Sequence, residues 1–209
     1  MLVTACGAST PTPTPATPAA PAPVAAADPH AGHDHSGADH AAHPPPDDST
    51  VGVIDQPATP WQVSQWFNSP PLTLEQLRGK VVFVRWFTDP SCPFCSATAP
   101  TLRALNERYA DKGLVVVGMY HHKEETPLDP KQVEGWAKHY GYKFPVAIDK
   151  DWVTLKRWWL DGHDRYATSV SFLIDKNGIV RRVHRGGAIA PEGDEIQAIT
   201  ADVERLLAQ

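Results

Sequence analysis

Lysine, arginine and aromatic side chains are all absent from the first 60 residues of this 209-residue chain. That segment is instead rich in proline and alanine, and its only charged residues are the aspartates at positions 28, 34, 39, 47, 48 and 55. A segment of this composition cannot bury enough apolar surface to offset the entropy lost on folding. We therefore predict a disordered tether over residues 7–59 and a single folded domain over residues 60–209.

Two further absences exclude whole classes of protein. No run of about 18 apolar residues occurs, so the sequence predicts no transmembrane helix. The net charge is −5 at pH 7, which is the wrong sign for binding a phosphate backbone. We therefore expect no nucleic-acid partner, and no cofactor is indicated either.

Cysteine is scarce, but two of the three cysteines, Cys92 and Cys95, stand two residues apart. They follow an apolar run of strand type, residues 81–87, and a helical pattern comes after them. A strand-to-helix junction places Cys92 at the helix N-terminus, where unpaired amide groups and the helix dipole favour a thiolate. Cys95 lies one turn further on and can close a disulfide. The pair is therefore predicted to be a dithiol redox centre.

Two other interpretations of the pair remain open. A zinc site needs four ligands, usually from two such pairs, but only Cys6 remains elsewhere, and His121 and His122 form no second pair. A purely structural disulfide across so short a loop would contribute about 2 kcal/mol or less. The redox interpretation is therefore favoured.

Two stretches resemble a known group of enzymes. Residues 72–84, followed by Cys92-Pro-Phe-Cys95, resemble the start of the thioredoxin-like, membrane-anchored thiol–disulfide oxidoreductases of the TlpA and ResA type. These belong to the wider redoxin group, which also includes peroxiredoxins. Residues 172–180 resemble the later strand–turn–strand of the group. The resemblance covers about residues 61–207 and implies a thioredoxin-like α/β sandwich with a central mixed sheet.

The resemblance also implies a mechanism. Cys92 would attack a substrate disulfide as a thiolate, and Cys95 would resolve the mixed disulfide. Pro93 and Phe94 add no cation between them, so we expect only mild acidification of Cys92 and therefore a reductase. The implied partners are a protein thiol or disulfide substrate and an electron-donating redox protein.

One position departs from the resemblance. Reductases of this group carry a cis-proline that faces the cysteine pair, and here the corresponding position is Ser169, preceded by Thr168. Peroxiredoxins lack this proline as well. We treat Thr168 and Ser169, together with Pro93 and Phe94, as candidates for the substrate groove.

Three charged residues near the pair are candidates for supporting roles. Glu124 and Glu125 follow an apolar run that indicates a buried parallel strand. Functional residues of such sheets lie at the C-terminal ends of the strands, so one of the two is a candidate proton acceptor for Cys95. Arg85 lies in the first core strand, where related proteins often carry Asn or Asp. Because a buried charge must find a partner, we interpret Arg85 as structural, with stabilisation of a nearby thiolate as the alternative.

The first residues resemble the end of a bacterial lipoprotein signal, because small residues precede Cys6. Residues 1–6 lack the charged and apolar regions of a complete signal, so either the true start lies upstream or the resemblance is chance. A lipid on Cys6 would anchor the chain to a membrane outside the cytoplasm, in the periplasm or on the outer face of a bacterial membrane. The proline-rich tether would then serve as a spacer.

The tether also contains a histidine-rich stretch. Its imidazole groups stand among aspartates and could bind copper, zinc or nickel weakly. Their spacing is irregular, so we interpret the stretch as a soluble spacer, with weak metal capture as the alternative. The histidines are His30, His33, His35, His40 and His43.

Two alternative functions were weighed against thiol–disulfide exchange. A thiol peroxidase usually shows Pro-x-x-x-Thr/Ser-x-x-Cys, and counting back from Cys92 or from Cys95 gives no match. A copper-delivery protein of the Sco type uses Cys-x-x-x-Cys and a distant histidine, so the spacing here is one residue short. Thiol–disulfide exchange is the function that the sequence favours.

Overall fold

A computed structural model describes residues 50–209. Six strands and four α-helices form an α/β domain, and their order along the chain follows. They are β1 (Trp66–Phe67), β2 (Val81–Phe87), α1 (Pro93–Tyr109), β3 (Leu114–Tyr120), α2 (Pro130–His139), β4 (Val146–Ile148), α3 (Val153–Leu155), β5 (Ser171–Ile174), β6 (Val180–His184) and α4 (Asp194–Leu207). The predicted sandwich with a mixed sheet is confirmed.

The strands form one sheet in the order β1-β4-β3-β2-β5-β6. β2 pairs in parallel with β3, and β3 pairs in parallel with β4, whereas the remaining neighbours are antiparallel. Every residue of β2 is buried, as expected for a strand covered on both faces. β2 is an inner strand, so its C-terminal end, and the start of α1 that follows it, lie near the middle of the sheet.

The two faces of β2 contact separate apolar clusters. Val81, Phe83 and Phe87 pack on the side of α1 and α4. Val82, Val84 and Trp86 face the opposite side, where the ring of Trp86 meets those of Trp158 and Phe172 edge-on. This alternation follows from the two-residue period of a strand.

Residues 50–59, which composition assigns to the tether, contact the domain. The Asp55 amide donates to the Val180 carbonyl (2.8 Å), the Val180 amide donates to the Gln56 carbonyl (3.0 Å), and Pro57 pairs with Ile179. This stretch therefore extends the sheet edge beside β6, although it precedes the predicted boundary at residue 60. Cys6 and the five tether histidines lie outside the described residues.

The helical spacing of Trp152, Leu155, Trp158 and Trp159 predicts one helix after β4, but the segment is divided. Lys150–Trp152 form a 3₁₀ turn, α3 is a single turn, and Lys156–Leu160 form a π-helical turn. The buried Asp149 explains the break, because its carboxylate accepts hydrogen bonds from the Thr154 and Leu155 amides (2.9 and 2.8 Å) and from the Trp86 indole (2.9 Å). The carboxylate binds the first amides of α3, and the left-handed backbone of Asp151 and Trp152 (φ 59° and 62°) interrupts the helix before it.

His121 is a fully buried histidine at the end of β3. Its Nδ1 lies 3.0 Å from the Phe87 carbonyl and donates to it, while Nε2 has no hydrogen-bond partner. The ring meets Trp152 edge-on, with 5.2 Å between ring centroids. Burial, with a further contribution from Lys123, lowers the pKa of His121 to about 3. The imidazole is therefore neutral in the folded domain at neutral pH.

We expect His121 to make the domain sensitive to mild acid. Between the unfolded pKa of about 6.5 and the folded value, the unfolded chain binds the extra proton, so stability falls as the pH falls. His184, whose pKa burial lowers to about 4, acts in the same direction, so urea unfolding should show a loss of about 1–2 kcal/mol from each of the two histidines between pH 6.5 and pH 5. His121→Leu should lose only the part that comes from His184. His139→Leu, which alters an exposed histidine, is the control and should behave as the wild type. Equal losses in all three proteins would contradict this account.

Candidate active site

The two cysteines lie at the N-terminus of α1, as the sequence predicts. Cys92 is the N-cap residue with extended backbone angles (φ −71°, ψ 109°), and Pro93 is the first helical residue. The pair forms a disulfide with 5.3 Å between Cα atoms. The Cys95 amide donates to Cys92 Sγ (3.2 Å), so an amide of the first helical turn stabilises negative charge on this sulfur.

The two sulfurs differ in their access to solvent. Cys92 is partly exposed, whereas Cys95 is 1% exposed. The Thr88 amide donates to Cys95 Sγ (3.4 Å), and the Thr88 hydroxyl oxygen lies 3.8 Å from the same sulfur. A partner can therefore reach Cys92, while Cys95 is held beneath it by the end of β2. Sequence reasoning missed Thr88, although its place directly after the strand run was visible.

Hydrogen bonds to Asp89 hold the turn that carries Cys92. The Asp89 carboxylate accepts from the Ser91 amide (2.8 Å), and the Asp89 carbonyl accepts from the Cys92 amide (3.2 Å). The Tyr140 hydroxyl, at the end of α2, donates to the same carbonyl (2.7 Å). Contacts from a distant helix therefore fix the position of the outer cysteine, and no local pattern in the sequence indicated Tyr140.

Arg85 is a buried cation beneath the start of α1, 1% exposed. Its Nη2 donates to the Gly187 carbonyl (2.6 Å) and lies 3.4 Å from the Thr98 hydroxyl. Its Nη1 donates to the Ser171 hydroxyl (3.1 Å), and Nε has no partner. Among the described residues, none of these contacts is a carboxylate. Burial lowers the pKa of Arg85 to about 10, so the side chain remains charged at neutral pH.

The fourth contact of Arg85 fixes the state of His184. A guanidinium only donates, so His184 Nδ1, at 3.3 Å from Arg85 Nη1, accepts and must be unprotonated. Burial, together with the nearby Arg85 and Arg182 charges, lowers the pKa of His184 to about 4.

Thr98, the contact of Arg85 on the other side, lies one helical turn after Cys95, a rise of about 4.5 Å. The Arg85 charge is therefore close to the redox pair.

A cavity of about 790 Å³ is lined by Phe94, which stands between the two cysteines in the sequence. Three of the four groove candidates, Phe94, Thr168 and Ser169, line it, whereas Pro93 does not. Thr168 is buried and Ser169 half-buried. The far wall comes from the end of β6 and the loop after it, residues 182–187. This wall was not predicted, because these residues lie about ninety positions from the cysteines.

The two candidate proton acceptors are exposed. Glu124 accepts a hydrogen bond from the Thr126 hydroxyl (3.0 Å), and Glu125 lies beside it on the surface. The described contacts of the Cys95 sulfur, apart from the disulfide, are with Thr88. The structure therefore does not bring either glutamate to Cys95, and their catalytic role stays a prediction.

Residues 50–209 contain neither a candidate metal centre nor a candidate membrane span. No cluster of three or more His, Cys, Asp or Glu side chains in this range could hold a metal ion. No helix in the same range combines the length and the apolar character that crossing a bilayer requires.

The comparisons with known proteins decide the family. The profile of the AhpC/TSA family matches residues 54–183, which is more than half of the chain. The chain belongs to the AhpC/TSA family. This confirms the redoxin group that the motifs around Cys92 and Cys95 indicated.

Curated relatives of this AhpC/TSA member include redox proteins. Protein DipZ of Mycobacterium bovis is 31% identical over 135 residues, which cover 63% of this chain and 18% of DipZ. The thiol-disulfide oxidoreductase ResA of Bacillus cereus is 31% identical over 115 residues, which cover 55% of this chain and 60% of ResA. The chain thus spans less than two thirds of either relative. The match to ResA supports the predicted class of enzyme.

Solved structures agree with this AhpC/TSA assignment. A thiol-disulfide isomerase from Corynebacterium glutamicum is 27% identical with a TM-score of 0.59, covering 73% of this chain and 97% of its own. A thioredoxin family protein from Chlorobium tepidum, described as a thiol:disulfide interchange protein, is 20% identical with a TM-score of 0.54, covering 74% of this chain and 97% of its own. At that identity the second match shows the fold alone, which is thioredoxin-like.

We expect Arg85→Met to lower the reduction potential of the Cys92–Cys95 disulfide. A cation near the pair stabilises the thiolate of the reduced form, so losing it disfavours reduction. One pKa unit of lost thiolate stabilisation corresponds to about 30 mV for a two-electron couple, and we expect a fall of at least about that size. Equilibration with glutathione buffers measures it.

Arg85→Lys is the matched control, because it keeps the charge and should shift the potential less. Circular dichroism of both variants checks that the domain remains folded. An unchanged potential in folded Arg85→Met would leave Arg85 with only the structural role that the sequence favoured.

Proposed function

We propose that the chain is a thiol–disulfide oxidoreductase in which Cys92 is the nucleophile and Cys95 the resolving thiol. The observation that carries this proposal is the difference between the two sulfurs. Cys92 is accessible and receives an amide hydrogen bond, whereas Cys95 is buried behind it. A partner's disulfide can therefore meet only the first sulfur, and the second lies one turn away on the same helix.

The reaction is a transfer of two electrons by two exchanges. In the reduced enzyme the Cys92 thiolate attacks one sulfur of the partner's disulfide, forming a mixed disulfide and releasing the other sulfur as a thiolate, which takes up a proton. Cys95 then loses its proton and attacks Cys92 Sγ. The Cys92–Cys95 disulfide forms, and the partner leaves with both of its thiols reduced. A dithiol partner that donates two electrons returns the enzyme to its starting state.

Thr88 supports the second exchange. Its amide points at Cys95 Sγ (3.4 Å), so it stabilises the thiolate that must form before Cys95 can attack. The hydroxyl oxygen of the same residue, at 3.8 Å, is the nearest described polar side-chain atom that can relay the proton. Glu124 or Glu125 as the final acceptor remains a prediction, because both lie at the surface.

We propose reduction of the partner as the physiological direction. Pro93 and Phe94 bring no cation to Cys92, which favours a low potential, whereas the buried Arg85 acts in the opposite direction. A wild-type potential below about −200 mV supports a reductase, and a value near about −120 mV indicates an oxidant.

We propose that the enzyme works outside the cytoplasm and is tethered through a lipid on Cys6. Support comes from the small residues before Cys6, from the proline-rich spacer after it and from the resemblance to membrane-anchored oxidoreductases.

Replacing either cysteine should separate the two exchanges. We expect Cys92→Ser to reduce insulin no faster than the reaction without enzyme, because the accessible nucleophile is gone. Cys95→Ser should instead accumulate a covalent adduct with the substrate, visible on non-reducing gels and released by dithiothreitol. Ala97→Ser, an exposed position on α1, is the control and should keep wild-type activity. Insulin reduction by Cys92→Ser would refute the assignment of the nucleophile.

The tether gives a separate prediction. In the native host, the wild-type chain should sediment with membranes, and Cys6→Ala should move it to the soluble fraction because one attachment point is lost. Mass spectrometry of the N-terminal peptide should show the lipid. A wild-type chain found only in the soluble fraction would argue against the anchor but not against the redox chemistry.

A further inference from the structure

The cavity lined by Phe94, which we call the groove, carries unusual exposed aromatic surface. Only three large apolar side chains among residues 50–209 are exposed: Val51, Phe94 and Tyr166. Two of them, Phe94 (51% exposed) and Tyr166 (77% exposed), line the groove. Exposed aromatic groups around a concave surface are typical of a binding site for another molecule.

The groove also carries an excess of positive charge. Four of the side chains that line it are cationic, and only one, Glu195, is a carboxylate. His184 is neutral in the folded domain, so it does not alter this balance. The cations are Lys123, Arg165, Arg182 and Arg185. Residues 60–209 carry 19 Lys and Arg against 18 Asp and Glu, so this part of the chain is almost neutral and the groove is a local concentration of cations.

Two of these cations are fixed in the walls. Arg182 forms an ion pair with Asp202 (2.6 Å), and the Arg165 guanidinium lies over the Trp159 ring, 4.2 Å from its centroid. Lys123 and Arg185 are exposed at the rim. The Asp202 carboxylate offsets the Arg182 charge, so the accessible positive charge of the groove lies at the rim.

The groove is preformed. The Trp159 indole donates to the Ala167 carbonyl (2.9 Å), and Arg165 donates to the Trp159 carbonyl (2.8 Å), which fixes the loop before β5. The opposite loop is held by the bond from Arg85 to the Gly187 carbonyl. Because these walls are already ordered, binding an occupant costs little conformational entropy in the protein.

We propose that the groove binds a segment of the partner protein in which aspartate or glutamate residues stand beside an apolar side chain, close to the disulfide being exchanged. Phe94 lies between the two cysteines in sequence and lines the groove, so an occupant is placed next to Cys92. The acidic side chains complement the rim cations, and the apolar side chain packs between Phe94 and Tyr166. The link to the exchanged disulfide rests on the function proposed above, whereas the binding preference does not.

The test is a binding measurement on the full oxidised chain, without turnover. The probes are two fluorescent peptides of equal length that contain one leucine and serine in place of cysteine, one with three glutamates and one with three lysines. Fluorescence anisotropy should show the acidic peptide bound about tenfold more tightly at low salt. The difference should shrink as ionic strength rises, because both rim cations are exposed to solvent.

Charge-reversal variants locate the effect. Lys123→Glu and Arg185→Glu should each reduce the preference for the acidic peptide several-fold. Lys80→Glu makes the same charge change at an exposed residue just before β2, at the opposite end of that strand from the cysteines, and should keep the preference. Tyr166→Ser should weaken both peptides, because it removes apolar contact without changing charge.

Equal binding of the two peptides, or a loss of preference in Lys80→Glu as large as in the rim variants, would overturn the proposal. So would tighter binding of a thymidine oligonucleotide of matched charge, which would indicate a general site for polyanions. Insulin reduction is measured separately. A chain that prefers the acidic peptide but reduces nothing would support the groove and count against the proposed enzyme, and the reverse result would do the opposite.

Discussion

The guanidinium of Arg85 joins the parts of the domain that must meet for the site to exist. It contacts β5 through Ser171, β6 through His184, the following loop through Gly187 and α1 through Thr98. Desolvating such a charge is expensive, and here the described partners are neutral dipoles without a carboxylate to offset the cost. Because these partners come from four separate segments, their hydrogen bonds offset the desolvation free energy of Arg85 only when all four segments are correctly placed.

A positive charge at this position also changes the electrostatics of the redox pair. A carboxylate beneath the cysteines would oppose formation of a second negative charge, whereas a guanidinium favours it. The hydrogen bonds that backbone amides donate to the two sulfurs also favour the thiolates, as the guanidinium does. The chain therefore supports thiolates from several sides, although the residues between the cysteines contribute no charge.

Local patterns in the sequence predicted the parts of the fold that depend on local interactions. The apolar run that forms β2 and the position of Cys92 at the start of α1 are each set by neighbouring residues. The divided segment after β4 was missed because it depends on the buried Asp149, whose contact with Trp86 is distant in sequence. The contacts of residues 50–59 with β6 were missed for the same reason.

The candidate site likewise has some parts that local sequence patterns predict and others that depend on contacts between distant residues. The cysteine pair and three of the four groove candidates could be predicted, since each lies in or near a recognisable motif. Tyr140 and the cationic wall at residues 182–187 could not, because they approach the cysteines only through the register of β2, β5 and β6 and the packing of α2. Thr88 could have been found, since it directly follows the apolar run of β2. A charge in one strand and a histidine ninety-nine positions away give no joint signal in a single sequence.

The hydrogen bond between Arg85 and His184 has a kinetic consequence. Because the guanidinium can only donate, the imidazole is held as the tautomer with its proton on Nε2, and that ring stays uncharged throughout the range in which enzymes are usually assayed. His184 will therefore add no inflection to a plot of rate against pH. An inflection in such a plot can therefore be analysed without a correction for this imidazole.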